Sequence, residues 1–289
     1  MTLRVGVAGF GLIGAAVASR LIAAGFAVGA NDVDPSRRAA VVAAGADWVD
    51  TTAGLANYDV VVIAVFDTAQ VSQVAEALCD AATERRQVLV SVSTCDPAGI
   101  AAIAEHVHAA GSILIEMPIS GASSQVLAGE GVGLVAGDTA AIAAADPILA
   151  AICPVRHRLP HVGDGARAKL AINLVLGLNR AALAEGLVFA DRVGLDPAAF
   201  LPVLRASAAY SQVMDVKGTK MVARDFKPLA RVVQSAKDFA LIQTAAADTG
   251  QALPMAAVYA TLLKECIAAG EGEWDNAAII EAIRRRVLP

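Results

Sequence analysis

The stretch Val5-Gly6-Val7-Ala8-Gly9-Phe10-Gly11-Leu12-Ile13-Gly14 decides the reading of this chain. Four residues of strand character run into G-x-G-x-x-G, an alanine-rich helical stretch follows, and a second apolar run ends at Asn31-Asp32. In that context each glycine has its own task. Gly9 permits the tight turn, Gly11 lets backbone approach a pyrophosphate, and Gly14 lets the helix close on the strand. The helix N-terminus then presents unpaired N–H groups and the positive end of its dipole to the phosphates. Phe10, Leu12, Ile13 and Asn31 belong to the same expected cofactor contact. Asp32 is placed to accept from the ribose hydroxyls and to repel a 2′-phosphate, so the pattern predicts NAD rather than NADP. Arg37 and Arg38 lie just beyond, either as partners of a 2′-phosphate or as the solvated first turn of a helix after Asp34-Pro35-Ser36. The solvated turn is the simpler reading, as an ordinary glycine turn is the simpler alternative to the whole motif.

Outward from this turn, apolar runs at 3–8, 27–32, 59–65, 87–92, 112–116, 131–136 and 153–158 read as strands. Helical stretches near 12–24, 35–44, 69–82, 97–110 and 139–150 lie between them, with Asp34-Pro35 and Asp96-Pro97 as start signals. The alternation predicts an α/β, Rossmann-type doubly wound parallel sheet over residues 1–162, with ligands at the carboxyl ends of its strands. From Gly163 the strand pattern stops. Residues 164–193 carry one unbroken helical pattern, and further helices are expected at 197–207, 210–223, 231–250 and 255–269. A second, all-helical domain over 163–289 is expected to complete the substrate site and to carry an oligomer interface.

The 289 residues are 56% hydrophobic, much of it alanine and valine, as tightly packed helices on a parallel sheet require. A net charge of −5 argues against nucleic acid as a partner. No apolar run free of charge and glycine reaches the length of a membrane span, so no membrane partner is expected. Residues 5–18 imitate a signal peptide, but Arg4 alone makes a poor basic region; a cytoplasmic protein is expected. Cys79, Cys95, Cys153 and Cys266 lack metal-ligand or disulfide spacing, and the pairs His106/His108 and His157/His161 suggest no metal site.

Three further segments carry polar groups suited to chemistry: Glu116-Met117-Pro118-Ile119-Ser120-Gly121-Ala122, Gly165 to Asn173, and Lys237-Asp238. Lys169 and Asn173 stand one helical turn apart on one face, where an amine and an amide can hold a hydroxyl and a carboxylate oxygen together. A lysine on an apolar helix is also suited to moving a proton near neutral pH. Taken alone, the pair reads more readily as a snorkelling lysine beside an exposed amide, and Ser120-Gly121 at least as readily as a plain loop.

Together, in this order, the segments resemble the β-hydroxyacid dehydrogenase family, which includes 3-hydroxyisobutyrate dehydrogenase. The likeness covers nearly the whole chain: the glycine turn, Glu116 to Ala122, Gly165-x-x-x-Lys169-x-x-x-Asn173, and Lys237-Asp238. Ser93-Thr94 looks like the family's element on the nicotinamide side of the cofactor. The resemblance implies that Lys169 is the acid/base group at the hydroxyl of a small hydroxy acid and that Asn173 orients the substrate. It implies that Ser120, with the N–H groups of Gly121 and Ala122, holds the substrate carboxylate. Lys237 would line substrate and cofactor, and Val65, Phe66 and Thr94 would flank the NAD. A cleft between the domains is expected to close around the substrate.

Departures are visible. Val65-Phe66-Asp67 stands where many relatives have Met-Leu-Pro; Asp67 reads as a helix cap or as a contact to ribose or substrate, the cap being favoured. Glu116 replaces the usual Asp, and Ala122 the second Gly of the substrate motif. Val65 to Val71 and Trp274 to Ala277 look closer to the L-threonate dehydrogenase branch. Two alternatives remain beside the main reading: an NADP-dependent imine reductase, which Lys169 and Asp32 oppose, and a noncatalytic nucleotide-binding protein. A homodimer or homotetramer is expected from the apolar content of the helical part.

Overall fold

Residues 3–82 and 87–287 are described by a computed structural model of the chain. Their contacts divide into two compact units, Met1–Lys169 and Leu170–Pro289.

The first unit is built on β1 (Arg4–Ala8), β2 (Ala27–Asn31), β3 (Asp47–Trp48), β4 (Val60–Ile63), β5 (Val88–Ser91) and β6 (Ile113–Glu116), in the order β3-β2-β1-β4-β5-β6. All pairings in this sheet are parallel. The register aligns Ala8 with Asn31 and Ile63, Ile63 with Ser91, and Ser91 with Glu116, so these strands end on one line. Central strands covered on both faces need apolar side chains throughout, which is why β1 and β4 read as continuous apolar runs; Val5, Val7, Val61 and Val62 are fully buried. Helices α1 (Leu12–Ala23), α2 (Arg38–Ala43), α3 (Thr68–Ala81) and α4 (Pro97–Ala109) make the crossovers. Asp67 and Asp96 cap α3 and α4 by accepting from Gln70 N and Gly99 N at 2.9 and 2.6 Å. Asp67 is thus the cap that its position suggested.

The sheet does not take in the later expected strands. Residues β7 (Ile119–Ser120), β8 (Val132–Val135) and β9 (Val155–Arg158) form a separate three-stranded sheet in which β7 runs antiparallel to β8. The reason is connection length. A parallel neighbour needs a crossover of a dozen or so residues, whereas β7 begins three residues after β6 ends, across Met117-Pro118. Two more helices belong here: α5 (Ser123–Ala128), absent from the sequence reading, and α6 (Thr139–Ile152), capped by Asp138.

The second unit is helical, as expected. It follows from α7 (Asp164–Arg192) through α8 (Pro197–Arg205), α9 (Thr219–Ala223), α10 (Val232–Asp248), α11 (Pro254–Ala268) and α12 (Ile279–Arg284). Among its described residues only an isolated bridge, Arg231 with Asp275, has strand-type pairing. By length and composition α7 could cross a membrane, yet Leu170, Leu183, Ala184 and Leu187 are buried in the core of this unit. The single helix expected over 210–223 is instead a π-helical turn, Met214–Gly218, leading into α9. That turn places Lys217 inside the unit, where its Nζ meets both carboxylate oxygens of the fully buried Asp275 at 2.7 and 2.9 Å. Burial pushes the Lys217 amine down to about 8 against the pull of Asp275. Burial raises the Asp275 carboxyl, but Lys217 and the N–H groups of Leu229 and Ala277 hold it below the usual carboxylate range. Such a pair fixes geometry more than it adds stability.

Candidate functional site

The aligned strand ends gather the motif residues of the first unit on one edge. Gly9 follows β1 in the left-handed region (φ 92°), and a Cβ there would stand 2.5 Å from Ala64 O. A Cβ on Gly14 would stand 2.0 Å from Gly9 O, so the first turn of α1 rests directly on the backbone of the loop. Gly11 differs: a Cβ there would meet nothing within 4 Å. Its lack of a side chain is not demanded by the protein's own packing and leaves an open cradle. Gly11 is also the N-cap of α1 and supplies no side-chain acceptor to the first-turn N–H groups. An open cradle bounded by unpaired N–H groups at the positive end of a helix fits a pyrophosphate.

The surrounding side chains hold the loop in place. Asp32 Oδ2 accepts from Phe10 N at 2.6 Å and Oδ1 from Asp34 N at 2.9 Å. Its carboxylate therefore stands against the glycine turn itself. Asn31 is buried; its amide donates to Val49 O and accepts from Thr52 Oγ, and its carbonyl accepts from Gly9 N. The Asn31 side chain is thus engaged within the protein. Arg37 pairs with Asp34 at 3.5 Å, and Arg38 is exposed. Leu12 and Ile13 lie in the first turn of α1. Ser93 Oγ accepts from Val65 N and donates to Val65 O, and Thr68 Oγ accepts from Asp96 N, so the loops after β4 and β5 are tied together. These ties place Val65, a half-exposed Phe66 and a buried Thr94 at the edge occupied by the glycine turn.

Ser120 ends β7, opposite Val132. Gly121 has φ 149°, a conformation that favours glycine. The Ala122 N–H, expected to face an anion, donates to Gln125 Oε1 at 2.9 Å. Of the expected substrate-carboxylate donors, this one is engaged by the protein's own side chain.

The start of α7 is held by Glu116, at the end of β6. Its carboxylate is buried and accepts from Gly163 N at 2.7 Å, Gly165 N at 3.2 Å and Ala166 N at 2.6 Å. Burial pushes this carboxyl above its usual range, and the three N–H groups pull back against it. One turn further on, Lys169 is buried to 6% exposure, and Asn173 follows it on the same face of α7. In the second unit Asn173 Nδ2 donates to Asp238 Oδ2 at 2.9 Å. The other oxygen of Asp238 lies 3.0 Å from Lys237 Nζ, an ion pair rather than an aligned hydrogen bond. Asp238, itself buried, therefore holds two of the expected site residues. The sequence reading gave no role to Asp238 or Glu116; both follow a polar residue pattern that only folding turns into contacts. Among the described residues no group of His, Cys, Asp and Glu is arranged to hold a metal.

Comparison with known proteins gives this geometry a context. Residues 4–162 match the family model for the NAD binding domain of 6-phosphogluconate dehydrogenase. Residues 163–283 match that for NAD-binding of NADP-dependent 3-hydroxyisobutyrate dehydrogenase. The chain is 27% identical to the 2-hydroxy-3-oxopropionate reductase of Escherichia coli (strain K12), over 97% of both chains. It is 28% identical to the L-threonate dehydrogenase of Cupriavidus necator, covering 100% of this chain and 99% of that one. The crystal structure of a 3-hydroxyisobutyrate dehydrogenase from Salmonella typhimurium superposes with a TM-score of 0.89 at 26% identity, over 96% of this chain and 99% of that one.

The two kinds of glycine separate experimentally. Gly11→Ala is expected to leave thermal unfolding within a few degrees of the parent but to weaken NADH binding at least about tenfold, because the methyl group occupies the cradle. Gly14→Ala is expected to lower the unfolding temperature markedly, because its methyl group meets backbone. Calorimetry and NADH fluorescence titration read the two effects.

Proposed function

Because the chain belongs to the 3-hydroxyisobutyrate dehydrogenase-like β-hydroxyacid dehydrogenase family of NAD(P)-dependent oxidoreductases, we propose that it oxidises the hydroxyl-bearing carbon of a small 3-hydroxy acid, or runs the reverse reduction, with Lys169 as acid/base. The observation that carries this reading is the burial of Lys169 one turn from an Asn173 whose amide is oriented by Asp238. A solvated, snorkelling lysine beside an exposed amide would leave both groups in water.

When bound, the nicotinamide supplies the hydride acceptor. Lys169 Nζ takes the hydroxyl proton as the carbon–oxygen double bond forms, and returns it in the reverse direction. Asn173, with one amide hydrogen held by Asp238, directs its remaining polar atoms to the substrate. Ser120 Oγ and the Gly121 N–H receive the substrate carboxylate. Ala122 joins them only by releasing Gln125, which reduces its part. Lys237, anchored by Asp238, adds a positive charge for an anionic substrate. The burial of Lys169 also supports this reading over an imine reductase or a noncatalytic nucleotide-binding protein, neither of which calls for that amine.

NAD is the proposed cofactor in preference to NADP. Asp32 lies against the glycine turn, and Arg37, the nearer candidate in sequence for a 2′-phosphate, is paired with Asp34. A second copy of the chain is the proposed partner, in the cytoplasm. In support, Val175, Ala182 and Phe189 recur every seven residues on one exposed face of α7, with Val175 and Phe189 at 57% and 67% exposure.

Lys169→Ala is expected to lower kcat/KM by roughly 10²–10⁴-fold while NADH affinity stays near the parent value. The assay follows NADH appearance with L-threonate, D-glycerate, L-serine and 3-hydroxyisobutyrate; undiminished turnover in that variant refutes the proton role. Initial rates with both cofactors should favour NAD, and Asp32→Ala should narrow the difference. Light scattering at working concentration is expected to give a dimer or tetramer, and Phe189→Glu to shift it toward the monomer.

A further inference from the structure

Glu116 stands outside the proposed chemistry, yet few carboxylates in the chain are as fully engaged. It is 1% exposed, and both of its oxygens are used: Oε2 by Gly163 N and Gly165 N, Oε1 by Ala166 N. These donors lie at the entry and first turn of α7, where N–H groups have no acceptor inside the helix. The chain is shaped to admit the carboxylate. A Cβ on Gly165 would stand 2.8 Å from Glu116 Cδ, and Gly163 takes φ 96° with its Cβ position 2.9 Å from Pro97 O. Asp164, the acid beside these donors, is turned away to Arg167 at 2.6 Å and to His161.

The other end of Glu116 is equally fixed. It closes β6, registers with Ser91 of β5, and exchanges backbone hydrogen bonds with Ala136 at 2.9 and 2.8 Å. The same register leads through Ile63 to Ala8, the residue before the glycine turn. Lys169 lies three residues, about 4.5 Å of helix rise, beyond Ala166. Helical side chains lean toward the N-terminus, so the Lys169 stem lies over the turn that Glu116 holds. Being buried, the Lys169 amine has little room to correct an error in that turn.

We infer that Glu116 is a positioning residue for the proposed reaction, clamping the first turn of α7 to the sheet edge that carries the glycine turn and so setting where the Lys169 amine stands. An amide does not replace it. Whichever oxygen becomes NH₂ faces at least one of the three N–H donors and loses that bond. An aspartate keeps two acceptor oxygens on a shorter arm.

The inference rests on the acid/base reading of Lys169, and the test separates the two. In the full chain, Glu116→Gln is expected to bind NADH like the parent and to keep KM for the hydroxy acid within about threefold, while kcat falls about 10- to 100-fold. The ascending limb of the kcat/KM profile against pH should move, because a displaced amine meets different neighbours. Glu116→Asp should recover most of kcat and return the limb toward its original place. A merely structural cap would cost stability and leave the limb unmoved. A folded Glu116→Gln chain with parental kcat and parental pH profile overturns the inference. If that chain does not fold, Gly163→Ala, which disturbs one donor and leaves the carboxylate, should lower kcat at least about fivefold; parental kcat there overturns it too. An active Lys169→Ala chain would remove the acid/base reading itself, whereas an inactive Lys169→Ala with a normal Glu116→Gln removes only the clamp.

Discussion

Parallel strands must all finish at one edge of their sheet, and this constraint assembles the nucleotide side of the molecule. Register places the end of β1, with its glycine turn, in line with the ends of β2, β4, β5 and β6. Asp32, Val65, Thr94 and Glu116 are therefore neighbours along one rim, although they are spread over more than eighty positions of sequence. The turn of strand order between β1 and β4 opens the crevice at that rim. Nothing in this arrangement is specific to one substrate. It presents a cofactor edge, and chemistry is added by the residues that follow it in the chain.

Those residues are governed by buried charge. A carboxylate or amine removed from water must be met by hydrogen bonds or by an opposite charge. Glu116 is met by the N–H groups of Gly163, Gly165 and Ala166, Lys217 by Asp275, and Asp238 by Asn173 and Lys237. Each solution fixes directions as well as energies. Glu116 fixes the start of α7, Asp238 fixes an amide and an amine in the second unit, and Lys217 with Asp275 closes the π-helical turn onto the loop before α12. Two of these three arrangements lead directly to residues of the proposed reaction, which makes positioning a larger theme of this protein than stability.

Local patterns were legible where a single segment carries its own physics. The G-x-G-x-x-G turn announces a conformation that only glycine takes at Gly9 and a contact that only glycine allows at Gly14. Asp67 and Asp96 announce helix starts because their side chains reach N–H groups three residues on. The unbroken apolar period of 164–193 was enough to locate α7. By contrast, β8 looks like any other buried strand, and no period distinguishes membership of a second sheet; a short link across Pro118 starts that sheet. The π-helical turn at Met214–Gly218 was missed because its cause, the buried Asp275, lies 58 residues from Lys217.

The sequence by itself determined the order of elements, the nucleotide turn, the helical character of everything after Gly163, and the choice of Lys169 and Asn173 as neighbours one turn apart, because each depends on residues within reach of a turn or two of backbone. Only the tertiary structure decided that Lys169 is buried, that Asp32 leans on Phe10, and that Glu116 grips the helix bearing Lys169. Those facts rest on partners brought together across up to about fifty intervening residues, and spacing along a chain carries no record of which distant donor will fill an acceptor.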